Sequence, residues 1–323
     1  MAGRNSSRVN RKYKTKYRIR NWPEYERGLK ARGDVTIWFS DEAVAAWTPP
    51  PSGLRGGQRQ YSNLAILTSL TLRLVFHLPL RQTEGFVRSL LRVMGLDLKA
   101  PDHSTLSRRG EDVEVPRLCR EHEGPIHLVV DSSGLKISSA GDWSSRKHRK
   151  GKVRRGWRKL HIGVDDEGFV VAAQLTASRR DDASVVPDLL EQIDAEVRCF
   201  IGDGAYDRRL VYDQVAGGGT KDVVVVVPPR RCAAPDKNAE GAWSQRNSHL
   251  ERIEEIGRRE WLKESGYRQQ ARAENTFFRW KRILGDRLRS KHFETQRREA
   301  MIGCGVLNRM FELGKARSQA IAA

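Results

Sequence analysis

The chain has 323 residues, 38% hydrophobic and 31% charged, with 59 Lys and Arg against 40 Asp and Glu and a net charge of +19. That length gives room for a full hydrophobic core with one or two smaller units, and the charge excess favours a polyanionic partner, nucleic acid before any other. Cys119, Cys199, Cys232 and Cys304 form no CxxC pair and no apolar run is long enough to span a bilayer, which disfavours structural zinc, a disulfide framework and a membrane partner.

Residues 1–20 carry Arg4, Arg8, Arg11, Lys12, Lys14, Lys16, Arg18 and Arg20 and no acid. Without an apolar stretch behind it, this block reads as a phosphate-seeking arm or a solubilising tail rather than a signal peptide, and a cytoplasmic protein is expected. Residues 21–57 mix Trp22, Tyr25, Trp38, Phe39 and Trp47 with charges, then close in a Pro- and Gly-rich linker, predicting a small packed unit. Residues 58–118 form the next region. Helices are predicted over Tyr61–His77 and over Thr83–Met94, the second capped by Thr83 or Gln82 and ended by Gly95. Asp102 caps a short helix, His103–Arg109, with Arg108 and Arg109 at its end. This pattern suits a helix-turn-helix element contacting DNA through those arginines, or simple three-helix packing.

From residue 126 the texture turns to strands. Ile126–Asp131 (IHLVVD) reads as a buried strand, with Ser132-Ser133-Gly134 as its exit into a loop. That loop is strongly basic, with Arg146, Lys147, Arg149, Lys150, Lys152, Arg154, Arg155, Arg158 and Lys159 offering phosphate contacts. Trp143 is a candidate for stacking on an unpaired base or for the core, and Trp157 for the core. A hairpin follows, Arg158–Val164 and Phe169–Leu175 around a turn containing Asp165 and Asp166. Asp181 and Asp182 cap a helix to Ile193, Val197–Gly202 is a strand, Asp207–Val215 a helix and Asp222–Val227 a strand. Residues 230–249 read as a loop insertion, followed by helices over Leu250–Lys263 and Tyr267–Leu284. The order predicts an α/β fold with a mixed sheet flanked by helices over 119–290, and a helical tail over 291–323.

Three acids stand out: Asp131 after the first strand, Asp203 after Val197–Gly202, and Glu274 in a helix. Taken singly, an acid at a strand end is more often a turn or cap. Together they are hard oxygen donors of the kind Mg²⁺ and Mn²⁺ accept. Two such ions about 4 Å apart can activate an attacking oxygen and stabilise a leaving one at a phosphodiester, which sets the expected carboxylate separations at roughly 4–8 Å. Tyr267, Glu274 and Lys281 are seven residues apart, nearly two helical turns, so they share a helix face. His161 is either a packed strand histidine or aimed at this centre. Asp182 and Asp207 read as helix caps that, with His161, are candidates for orienting the site from behind. No GxxxxGK[ST] loop, HExxH pair or dinucleotide fingerprint occurs, so no nucleotide cofactor is expected.

VVDSSGLKI, RRGWRKLHIGVD, IGDGAYD and the spaced Tyr267–Glu274–Lys281 set together resemble the catalytic region of bacterial insertion-sequence transposases of the IS5 family, within the DDE transposase superfamily. The resemblance covers roughly residues 125–288, and PDHSTLSRR upstream also matches. It implies a ribonuclease-H-like core preceded by a mainly helical DNA-binding region. It assigns catalysis and the binding of two Mg²⁺ or Mn²⁺ ions to Asp131, Asp203 and Glu274, and DNA contacts to Tyr267 and Lys281. The Arg of the family's signature is replaced by Gln270 here, which removes one phosphate or structural contact. The implied reaction is cleavage of 3′ ends at terminal inverted repeats and their joining to target DNA, by a homodimer or higher oligomer on double-stranded DNA at the bacterial nucleoid. The alternatives are a metal-dependent nuclease without strand transfer and a non-catalytic DNA-binding repressor or domesticated remnant.

Overall fold

In the computed structural model, residues 16–51, 53, 55–118, 120–137, 156–217 and 223–321 are described. The chain divides into two compact units, one of residues up to Ile37 together with Arg309 onward, the other Trp38–Asn308. These boundaries differ from the expected segmentation. Residues 21–57 are shared between the units, with Trp38, Phe39 and Trp47 buried and the Trp47 indole donating to the Lys99 carbonyl at 2.8 Å.

In the smaller unit, β1 (Lys16–Ile19) pairs antiparallel with the C-terminal strand Ser318–Ile321, and helix α1 (Trp22–Ala31) follows β1. The Asn21 amide donates to the Lys315 carbonyl at 2.8 Å and its oxygen accepts the Arg317 N–H at 2.7 Å. Arg32 donates to the carbonyls of Met310 and Gly314 at 3.0 and 2.7 Å. The two ends of the chain are thereby tied together. The expected helical tail over 291–323 is thus only partly helical, because its last residues find a strand partner at the other terminus.

The larger unit opens with α2 (Asp41–Ala45), α3 (Asn63–Val75), α4 (Leu80–Val93) and α5 (His103–Arg109). Ser62 caps α3 by accepting the Ala65 N–H at 3.0 Å, and Ala65, Ile66, Leu70, Leu72 and Leu74 are buried. The sequence places the start of α4 too late. Thr83 is buried one turn inside it and donates to the Pro79 carbonyl at 3.0 Å rather than capping. Asp102 caps α5 as expected, accepting the N–H groups of Ser104 and Thr105 at 3.0 and 2.9 Å. The connection Met94–Asp102 is longer than the three- or four-residue turn of a helix-turn-helix element, and α3, α4 and α5 pack as a three-helix group.

The mixed sheet consists of β2 (Ile126–Ile137), β3 (Trp157–Val164), β4 (Val170–Ala177), β5 (Val197–Ile201) and β6 (Val224–Val226), in the order β4-β3-β2-β5-β6. β2 pairs antiparallel with β3 and parallel with β5. Because β2 is central and covered on both faces, it carries the continuous buried run Leu128–Val130 rather than an alternation. One face, with Leu128, Val130, Phe200 and Val225, packs on α6 (Val186–Leu190), α7 (Arg209–Gly217) and the residues leading into them, including Ala183, Val185 and Tyr206. The other face receives α10 (Ala271–Ile283). This is the ribonuclease-H-like α/β arrangement, preceded by helices.

The exposed edge of β4 is blunted by side chains. Gln192 accepts the Ala173 N–H at 3.0 Å, and Asn308 bonds both the N–H and the carbonyl of Val170, which blocks pairing with another strand. No single described helix is long and apolar enough to cross a membrane.

Three further elements differ from their sequence reading. β2 does not exit at Ser132-Ser133-Gly134 but continues to Ile137, because β3 stays paired as far as Lys136↔Trp157. The predicted loop 230–249 contains the start of α8 (Ser244–Ile256), anchored by Gln245, which accepts the Val225 N–H and donates to the Val223 carbonyl, both at 2.9 Å. Gly257, at φ 81°, separates α8 from α9 (Arg258–Glu264). β7 (Arg287–Leu288) adds to the far end of β2, and α11 (Phe293–Glu312) follows before the closing strand, β8 (Ser318–Ile321).

Candidate active site

The register of β2 explains why its acid is accessible. β5 accompanies β2 only as far as Val129↔Ile201, whereas β3 continues past Asp131↔Ile162. The parallel neighbour therefore ends two residues short of Asp131, and Asp203 lies two residues beyond the end of β5. Asp131 is mid-strand, not at a strand end. Both acids nonetheless emerge where parallel strands finish, the place where open α/β sheets form their ligand crevice.

A 3₁₀ turn, Tyr267–Gln270, closes this gap and leads straight into α10. The Gln270 amide donates to the Val130 carbonyl at 3.1 Å, the carbonyl of the peptide bond that carries Asp131. Gln270 is 4% exposed, so it is a structural clamp between the glutamate-bearing helix and the aspartate-bearing strand, not a phosphate contact. Its side-chain oxygen has no hydrogen-bond partner among the described residues. Gln270→Ala is expected to cost about 1 kcal/mol, the net worth of one hydrogen bond, read by urea denaturation; an unchanged midpoint would show that the clamp adds nothing.

Glu274 follows in the first turn of α10 and is exposed. A negative charge there is favoured by the helix dipole. Lys281, also exposed, lies in the last turn of the same helix, about 10 Å further along the axis. Tyr267 does not belong to that α-helix. Gly266 at φ 76° opens the separate 3₁₀ turn, so the shared face holds for Glu274 and Lys281 alone.

Asp131 is half-buried and accepts the Ser132 N–H at 2.8 Å. Burial, reinforced by the charges of Asp203, Glu274 and Asp182, pushes its carboxyl up to about 6. Tyr267 senses the same neighbours: burial and then Asp203, Glu274 and Asp131 push its phenol up to about 12. Asp131 and Tyr267 thus both lie within reach of the charges of Asp203 and Glu274. Among the described residues, Asp131, Asp203 and Glu274 have no ion-pair partner. Nor are any three His, Cys, Asp or Glu side chains among those residues gathered tightly enough to hold an ion. The donor set of Asp131, Asp203 and Glu274, carboxylate oxygen only, is of the kind Mg²⁺ or Mn²⁺ accepts.

Asp203 also starts the turn Gly204–Tyr206 by accepting the Ala205 N–H at 2.8 Å. Gly202 is required there, since a Cβ would lie 2.9 Å from the Tyr206 ring. Tyr206 is buried against Phe200, ring centroids 6.1 Å apart, and belongs to the core.

The structure corrects several other assignments. Asp207 is not a cap. It is buried, ion-paired with Arg246 at 2.8 Å, and accepts the Arg230 N–H at 3.2 Å. Asp182 makes no cap bond either and takes the Lys159 ammonium at 3.1 Å on both oxygens. His161 pairs with Ser132 in the register, so strand alternation places it on the face opposite Asp131. It is fully buried, with Nε2 2.9 Å from the Thr176 hydroxyl and Nδ1 3.3 Å from Asp182, close but not aligned as a hydrogen bond. Burial holds it down to about 4, a neutral packed histidine.

Lys159 is consequently turned inward. Arg158 donates to Gln296 at 2.9 Å and lies over Phe293, and Arg109 donates to the Tyr61 carbonyl at 3.2 Å. These three are internal ties, whereas Arg108 is exposed. Trp157 begins β3 but is 40% exposed, resting on Gly134 with the Lys136 ammonium 5.9 Å from its ring, so it is not core. Trp143, Arg146, Lys147, Arg149, Lys150, Lys152, Arg154 and Arg155 lie outside the described residues. Sequence reasoning missed the clamp role of Gln270 and the Lys159–Asp182–His161 group, for which a lone Gln and scattered charges offer no local signal.

Two protein-family models, each described as a transposase DDE domain, match this chain, one over residues 30–140 and the other over residues 122–309.

Proposed function

This chain belongs to the DDE transposase family, and on that premise we propose that it is an insertion-sequence transposase of the IS5 type. It binds the terminal inverted repeats of its element, cuts the 3′ ends and joins them to target DNA. What supports this reading is that Asp131 and Asp203 stand where the parallel strands end, that the charges of Asp203 and Glu274 both act on Asp131, and that no cation pairs with these acids among the described residues.

Asp131 would contact both of two divalent ions, with Asp203 and Glu274 dividing the remaining protein contacts. Bound Mg²⁺ or Mn²⁺ supplies Lewis-acid activation of the attacking oxygen and stabilisation of the leaving one. The chain's own side chains do the rest. Tyr267, its phenol pushed up to about 12, stays protonated at neutral pH and can donate to a phosphate oxygen beside the acids. Lys281 offers a point charge to the DNA end. Water is the nucleophile for the cut and the freed 3′-hydroxyl for the joining. Each is an in-line substitution at phosphorus, so no covalent protein intermediate is required. Holding two ends for one joining event calls for a dimer or larger assembly on the DNA.

The test is to incubate the full chain with labelled terminal-repeat duplex and supercoiled plasmid in Mg²⁺ or Mn²⁺. Joined products are expected. Cuts without joining would reassign the protein as a nuclease, and retarded but uncut DNA would make it a repressor. Lys281→Ala should raise the DNA concentration needed for half-maximal cleavage while leaving Mn²⁺ affinity unchanged. An unchanged DNA dependence would remove Lys281 from the interface.

A further inference from the structure

We propose that the ribbon formed by β1 and β8 in the smaller unit is a docking element for the phosphate backbone of double-stranded DNA, with a basic face built from both ends of the chain. The inference rests on the DNA-processing function above and names an element that supplies affinity for it.

The register is Tyr17↔Ala320, Arg18↔Gln319 and Ile19↔Ser318. The Arg20 N–H donates to the Arg317 carbonyl at 2.8 Å, continuing the pairing past the strand ends. Side chains alternate between the faces of a strand and match across a pair. Arg18, Arg20, Arg317 and Gln319 therefore fall on one face, and Tyr17, Ile19 and Ser318 on the other. Arg18, Arg20, Arg317 and Gln319 are all exposed.

Among the described residues of this unit, nothing acidic neutralises the face. The Arg20 guanidinium meets the neutral amide of Gln319, and no carboxylate pairs with Arg18, Arg20 or Arg317 among the described residues. The unit's acids are engaged elsewhere: Glu24 accepts from Asn21, Glu26 pairs with Lys30 at 3.2 Å, Asp34 accepts from Thr36, and Glu312 pairs with Arg309 at 3.1 Å. Like charges set side by side across a strand pair oppose folding, so three arginines in this arrangement favour a polyanion that relieves them. Charged edges also discourage strand-to-strand aggregation, but that purpose does not require a single-signed face. The sequence feeding β1 adds Arg4, Arg8, Arg11, Lys12 and Lys14 with no acid. A two-stranded ribbon is narrow enough to enter the major groove. Arginine forks there would grip flanking phosphates, a sequence-independent contribution.

The experiment titrates binding of the full chain to a labelled duplex of unrelated sequence against salt, by fluorescence anisotropy. Each lost phosphate contact reduces the log–log slope by about 0.9. Arg18→Ala, which loses no hydrogen bond or ion pair among the described residues, should lower the slope by about 0.9, and the triple Arg18→Ala, Arg20→Ala, Arg317→Ala variant by about 2.7. The corresponding triple Lys variant should keep the wild-type slope, which separates charge from ribbon folding. Wild-type slopes in both Ala variants would overturn the proposal while leaving the DNA-processing function intact. Failure of the wild-type protein to bind any duplex would overturn both. Loss of binding to anionic lipid vesicles, with duplex binding unchanged in the variants, would reassign the face to a membrane.

Discussion

Replacing Glu274 with Gln is expected to lower cutting and joining together by at least about a thousandfold, equivalent to about 4 kcal/mol of barrier, in a protein that stays folded and still binds DNA. Glu274 is exposed and, among the described residues, has no ion-pair partner. Structurally the change forfeits only the favourable dipole term of the first turn, under about 1 kcal/mol. Chemically it removes one of three charges that hold the ions. Both activities should fall in parallel because one set of acids serves both substitutions. Asp131→Asn should be at least as severe, since that residue is assigned to both ions. Quantifying cleaved and joined products on a gel, with uncut and pre-cut ends, separates the two steps. If the Glu274 variant joined pre-cut ends at the wild-type rate, α10 would not supply the third carboxylate. Neither Asp182 nor Asp207 would take its place, because Lys159 and Arg246 already pair with them.

The same Asp131→Asn change should stabilise the metal-free protein. The Asp131 carboxyl rises from 3.8 to about 6 on folding, so between those values the folded state binds more protons than the unfolded one. The contribution of Asp131 to stability is therefore greatest below pH 3.8, declines as pH rises through about 6, and stays reduced above it. At pH 8 the penalty is about 3 kcal/mol, and removing it should raise Tm by about 4–5 °C. Below pH 4 the difference from wild type should vanish. His161 imposes the opposite slope. Its folded value of about 4 lies below the ordinary 6.5, so it destabilises the fold as pH falls through that interval, equally in both proteins. Melting curves at pH 4 and pH 8 measure the difference directly. A variant no more stable than wild type at pH 8 would mean that Asp131 carries no electrostatic cost in the folded protein. Gain of stability with loss of activity is the pattern of a site where charges are crowded for function.

What the sequence shows and what it hides divide along the range of the interactions. Ile126–Val130 is legible as a buried strand because four of its five residues are β-branched or aliphatic, and Asp102 as a cap because its partners are two and three residues away. The continuation of β2 through Ser132-Ser133-Gly134 is hidden, since pairing with β3 overrides the local turn preference. Arg109, Arg158 and Lys159 look alike as charges, yet each is bound to a group far along the chain: the Tyr61 carbonyl, Gln296 and Asp182. The seven-residue spacing of Tyr267, Glu274 and Lys281 assumes one continuous helix, and a left-handed Gly266 followed by a 3₁₀ turn breaks that assumption. The family resemblance singles out Asp131, Asp203 and Glu274, while the fold shows what opens the sheet beside Asp131. β5 stops short of Asp131, and Gln270 fastens the glutamate-bearing helix across the opening. The pairing of β1 with β8 has no local sign at all, because nearly the whole chain lies between them.

The central claim is that Asp131, Asp203 and Glu274 form one divalent-cation centre, and calorimetric titration of the full chain with Mn²⁺ tests it most directly. Wild-type protein should bind Mn²⁺ saturably near neutral pH. Asp131→Asn, Asp203→Asn and Glu274→Gln should each lose most of that affinity while keeping native melting behaviour or improving on it. Wild-type Mn²⁺ affinity retained in all three variants would contradict the account.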